Sequence, residues 1–203
     1  MTRKALDKLT SIGGIIAVVV LLVAGGLLTY GHSFVDSNVS KQLAQQQIFF
    51  PPNSVWAHAT KNNTGEIQAR MIPYMQKYSG QEMLTGAQAE TYADHFIAYH
   101  LAGMPYHGVY SKVSAAALAA KPGSAQQKSL QAVEATVFQG TTLRGLLLEA
   151  YGFSTMGTVM LLAAIAAFIG AGLMAILVAL GFAHAARVTD EKQVFAGQPV
   201  TAV

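Results

Sequence analysis

Two runs without a charged residue, 12–28 and 158–183, dominate the pattern of apolar and polar positions. As a helix the second is about 39 Å long, more than a hydrocarbon core of roughly 30 Å. They predict transmembrane helices over 10–30 and 156–184. Between them the pattern changes to single stripes. Val35, Val39 and Leu43 recur at i, i+4 and i+8, so residues 31–47 read as a polar helix with one apolar face. Ile48-Phe49-Phe50-Pro51-Pro52 ends it, because proline lacks the amide donor and forces its predecessor out of the α region. Residues 53–65 read as loop and 66–78 as a short helix with Pro73 inside it or near a break. Over 87–101, Ala89, Tyr92, Phe96 and Tyr99 share a face from which Glu90 and Asp94 are absent. Gly103-Met104-Pro105 stops that helix, and an alanine-rich one follows over 110–120, closed by Lys121-Pro122-Gly123. Ser124 then reads as the N-cap of a long helix. Leu130, Val133 and Val137 mark its first stripe, and after Gly140 Leu143, Leu146, Leu147 and Ala150 mark a second. No stretch shows sustained period-two alternation, so the expected fold is all-α.

Charge supplies orientation. Arg3, Lys4 and Lys8 precede the first apolar run, while residues 31–155 hold eight Lys/Arg against seven Asp/Glu without a basic cluster. The net charge of +3 therefore speaks for membrane orientation and against nucleic-acid binding. The expected topology is a cytoplasmic N-terminus over 1–9, a helical extracytoplasmic domain over 31–155 and a cytoplasmic tail over 185–203, carrying Arg187 and Lys192. The first run reads as a signal anchor, with a cleaved signal peptide as the alternative. Asn62-Asn63-Thr64 matches a glycosylation acceptor, a three-residue pattern of low specificity. The chain has no cysteine, which removes disulfide, thiolate-metal and thiol-nucleophile chemistry.

Four segments together carry a family resemblance: the basic start with its apolar run, QQQIFFPP, TGAQAETYADHFIAYHL, and TLRGLLLEAYGFSTMGTV leading into the second run. The chain resembles a family of two-span membrane proteins of high-GC Gram-positive bacteria. The resemblance implies no established activity, although aromatic ring-opening dioxygenase activity has been attributed to some members.

That attribution is testable on the residues. A non-haem iron site takes two histidines and a carboxylate, and the candidates are Asp94, His95, His100 and His107. On an α-helix His95 and His100 stand about 140° apart, so they do not share a face. No G-x-S-x-G, S-x-x-K or phosphate-binding loop is present. The expectation is no cofactor, no metal and no catalysis. Tyr92, Phe96, Tyr99, Tyr106 and Tyr110 read as core more readily than as a pocket lining. Neither span holds an ionisable residue in its interior, since His184 lies at the very end, which argues against autonomous transport.

Small residues recur in the spans. Ala163, Ala167 and Ala171 stand four apart, as do Ala166 and Gly170, and in the first span Gly13 and Ala17. Such spacing lets helices approach closely in lipid, and Ala164 and Ala179 are expected on the opposite face. The sequence thus points to a non-enzymatic protein of the plasma membrane. It would be an accessory or assembly subunit of an envelope complex, its partners being membrane lipid, other membrane subunits or itself. The alternative is a ligand-binding sensory protein signalling through another chain, because the 17 residues from Arg187 leave no room for an output domain.

Overall fold

The structure, a computed structural model, describes residues 3–59, 61 and 65–187. The glycosylation-type triplet Asn62-Asn63-Thr64 and Lys192 lie outside the described residues. Among the described residues the α-helices are α1 Arg3–Gln45, α2 Asn53–Trp56, α3 Ile72–Met75, α4 Gly86–Tyr92, α5 Ala98–Ala102, α6 Tyr110–Ala119 and α7 Ala125–Arg187. Among the described residues the only strand-like pairing is one antiparallel bridge, Phe49 with Glu82. The chain forms two compact units, Met1–Ser33 with Thr158–Val203, and Phe34–Gly157.

In the first unit the two long helices carry runs long and apolar enough to cross a membrane. They lie side by side in opposite directions. Gly14 meets Val178, Leu21 meets Gly170, Gly25 meets Phe168 and Gly31 meets Met160. Large side chains face away from this contact, among them Ile16, Val20 and Leu27 on α1 and Leu162, Ile169 and Leu173 on α7.

The second unit is built on a methionine-rich core. Phe50, Met71, Met75 and Met83 are completely or almost completely buried, with Val39, Leu43 and Leu147 closing the same cluster. Phe50 is its centre. Its ring meets Tyr78 at 5.1 Å and Tyr92 edge-on at 5.6 Å. Its amide donates to Gln81 O at 2.9 Å, and the Met83 amide donates to Ile48 O at 2.9 Å. The IFFPP segment therefore does more than stop α1: it enters the core as an irregular strand-like segment. The predicted stripe Val35, Val39 and Leu43 lies on the core side of α1, as its spacing requires.

Three stretches differ from the sequence expectation. Residues 53–65 contain the single turn α2, which buries Trp56; its indole donates to Ser79 Oγ at 3.1 Å. Residues 66–78 form α3 flanked by two 3₁₀ turns, Ala69–Met71 and Gln76–Tyr78. Pro73 sits in the first turn of α3, where its missing N–H has no intrahelical partner to lose. The helix expected from Ala87 starts at Gly86 with Thr85 as N-cap: the Gln88 amide donates to Thr85 Oγ1, and the Thr85 amide to Gln88 Oε1. This T-x-x-Q capping box is legible in the sequence. Gly86 is required by packing, because a Cβ there would run into Ser154 and come within 3.1 Å of the Tyr151 backbone. Ser124 caps α7 as expected, accepting from the Gln127 amide at 3.1 Å. The break in pattern at Gly140 is a packing site, where a Cβ would stand 2.9 Å from Leu101.

Candidate functional site

Between α4 and α5 the helix widens into a π segment, Ala93–Ile97, that carries Asp94 and His95. A π segment is uncommon and often sits at functional positions. Its rings are tightly organised. Tyr74 stacks on His95 with centroids 3.5 Å apart and planes 2° from parallel. His95 Nδ1 shares a 3.2 Å hydrogen bond with the Tyr99 hydroxyl. Arg70 lies 4.3 Å over the Tyr99 ring, and donates from Nη2 to Tyr99 O and from Nε to Gln68 Oε1. Burial holds the His95 pKa below its ordinary 6.5 and Lys77 adds to this, against the opposing pull of Asp94 and Glu90. Burial, with Glu66 adding, raises the Tyr92 phenol above 10.0.

Each of the four candidate ligands is placed separately. Asp94 Oδ1 accepts a 2.7 Å hydrogen bond from Arg144 Nη2. His95 is committed to Tyr74 and Tyr99. His100 Nδ1 donates to Phe96 O at 2.7 Å, and its Nε2 is buried without a partner among the described residues. His107 is exposed in a left-handed turn where Tyr106, His107 and Gly108 all have positive φ. Among the described residues no three of His, Asp and Glu gather as a metal would need. The expected 140° between His95 and His100 assumed α geometry throughout, and the π segment alters that register. No periodicity in the sequence signals the widening.

The helix pair replaces the expected four-residue stripe by a heptad seam. On α1 the residues turned inward are Asp7, Ser11, Gly14, Val18, Leu21, Gly25 and Leu28, alternating steps of four and three. On α7 Met160, Ala164, Ala167, Ala171, Met174 and Val178 alternate in the same way and lead on to Gly181 and Ala185. Steps of four alone rotate about 40° each time and leave a partner helix, whereas alternating three and four stays on it. Ala163 and Ala166 are accordingly exposed, Ala167 and Gly170 half-buried, and Ala171 is buried. Ala164, expected on the opposite face, is 1% exposed, while Ala179 is exposed as expected. Gly13 has open space around it, and Ala17 is half-buried beside the seam. The close approaches instead use Gly14, where a Cβ would overlap Val178, and Gly181, where one would overlap Ser11. At this end Asp7 Oδ2 stands 3.8 Å from His184 Nε2.

The second unit also contains a groove of about 560 Å³. Its floor belongs to the core: Val39, Leu43 and Leu147 are buried. Its walls are Phe34 from α1 and Leu146 and Phe153 from α7, all exposed, with Ala150 half-buried between them. Asn38 and Gln42 of α1, with Gln46 just past its end, form an amide rim, and Glu149 stands on α7. The sequence placed Leu146 and Leu147 on one apolar stripe; Leu147 takes the core position and Leu146 stands exposed at the groove. Chemically this is an apolar slot with hydrogen-bonding groups along one edge. Compared with protein families, with curated proteins and with solved structures, the chain matches none.

Proposed function

We propose that this chain is an integral membrane protein that works by binding, as an accessory or assembly subunit of a cell-envelope complex. Its two long helices form a transmembrane hairpin with both ends in the cytoplasm, and residues 31–155 act outside. The observation that carries the reading is the inverted helix pair. Small residues (Ser11, Gly14, Gly25, Ala164, Ala167, Ala171, Gly181 and Ala185) alternate with larger ones along its seam, while Ile16, Val20, Leu27, Leu162, Ile169 and Leu173 face outward. Apolar surface costs about 25 cal/mol per Å² in water, so such a pair is stable only when something apolar surrounds it. A binding role, in place of catalysis, is supported by the engagement of Asp94 with Arg144 and of His95 with Tyr74 and Tyr99. In the outer region Leu118, 82% exposed on α6, offers an apolar contact point.

A photo-crosslinking side chain at Leu118, irradiated in intact membranes, tests the partner. A discrete heavier protein adduct is expected, reproduced when the chain is expressed at low level. Absence of any protein adduct at Leu118 and at Phe138, an exposed ring on α7, would overturn the subunit role. The groove favours a second reading, a ligand-binding sensory protein acting through another chain.

A further inference from the structure

We propose that the groove between residues 34–46, the last turns of α1 and the residue that follows it, and Leu143–Phe153 of α7 binds one fatty acyl chain of a membrane lipid. Four observations converge on that occupant. The volume of about 560 Å³ lies in the range of small-ligand sites, about 300–1,000 Å³. From Phe34 to Gln45 the α1 wall runs about 17 Å, close to half of the roughly 30 Å hydrocarbon core and hence to one leaflet's tails. The lining is divided: an apolar floor and walls, with Asn38, Gln42 and Gln46 at helical spacing along one rim. An acyl chain that ends in an ester and a headgroup needs both, apolar contact for its length and donors where its carbonyl emerges. Finally, the groove follows the uncharged run 12–28 by six residues and precedes the run 158–183 by five, so lipid is the apolar ligand most concentrated near its walls. Phe34 and Leu146, 59% and 58% exposed, gain contacts when a chain fills the slot.

The proposal rests on membrane insertion of the helix pair and needs no protein partner. Full-length protein in phosphatidylethanolamine–phosphatidylglycerol vesicles is irradiated with a phosphatidylglycerol that carries a diazirine on one acyl chain, and adducts are mapped by peptide mass spectrometry. Adducts are expected within 34–46 and 143–153, as well as along 12–28 and 158–183. Ala150→Trp fills the slot and should lower the groove adducts roughly tenfold, as the loss of a few methylene contacts implies, with span adducts unchanged. Leu146→Ser, at an exposed position that folding does not need, should lower them too. Span adducts with groove adducts no more frequent than at Leu118 and Phe138 would overturn the acyl site and leave insertion standing. Groove crosslinks to a second protein chain instead of lipid would overturn it as well. No adduct in either region would overturn insertion itself, and the site with it.

Discussion

Phe50 is the residue on which the second unit depends. It is 1% exposed, meets two tyrosine rings and is held on both sides by backbone hydrogen bonds. Phe50→Ala removes a ring from a site framed by other elements and should cost about 3–5 kcal/mol. Thermal melts of the detergent-solubilised protein followed by circular dichroism should show the loss. His95 contributes differently. Its pKa lies below the ordinary 6.5 in the folded chain, so on acidification the unfolded chain takes up the proton first. Stability from this group is complete above about pH 6.5 and is lost as pH falls through the depressed folded value. His95→Phe keeps the stack on Tyr74 and removes the titration. The variant should melt with a flatter pH dependence between neutral and mildly acidic buffer, and an unchanged slope would contradict the assignment.

At the scale of elements, the seam makes a discriminating prediction. Ala164→Leu adds bulk at a buried position of α7, whereas Ala163→Leu points away from α1. In the cysteine-free chain, Ser11→Cys with Gly181→Cys should form a disulfide, because a Cβ on Gly181 would already overlap Ser11 Oγ. Adding Ala164→Leu should slow that crosslink, and adding Ala163→Leu should not. The reverse order would restore the four-residue stripe. The longer helices were legible, because Val35, Val39 and Leu43, the stop at Gly103 and the Ser124 cap are local signals, whereas the single turn α2 in the stretch read as loop was not. The seam was not. In an alanine-rich span many small-residue spacings coexist, and only the partner helix decides which one is used. The π segment escaped for a related reason: Ala93–Ile97 carries no residue that an α-helix would refuse.

Among the described residues the molecule is all-helical and forms two units, one surrounding itself with large apolar side chains and one enclosing a core of methionine and aromatic rings. The candidate chemistry was only partly legible. The sequence named Asp94, His95, His100 and His107, but Asp94 and His95 are engaged by Arg144 and Tyr74, which lie 50 and 21 positions away from them. The two apolar stripes that line the groove, Val35, Val39 and Leu43 on one side and Leu143, Leu146, Leu147 and Ala150 on the other, were legible in the sequence, but the slot left between them was not. The central claim is a membrane hairpin with both ends in the cytoplasm. Single cysteines at Lys121 and Arg187, treated with a membrane-impermeant thiol reagent in intact cells, test it most directly. The account predicts labelling of Lys121→Cys in intact cells and of Arg187→Cys only after permeabilisation. Labelling of Arg187→Cys in intact cells, or protection of Lys121→Cys there, would contradict it.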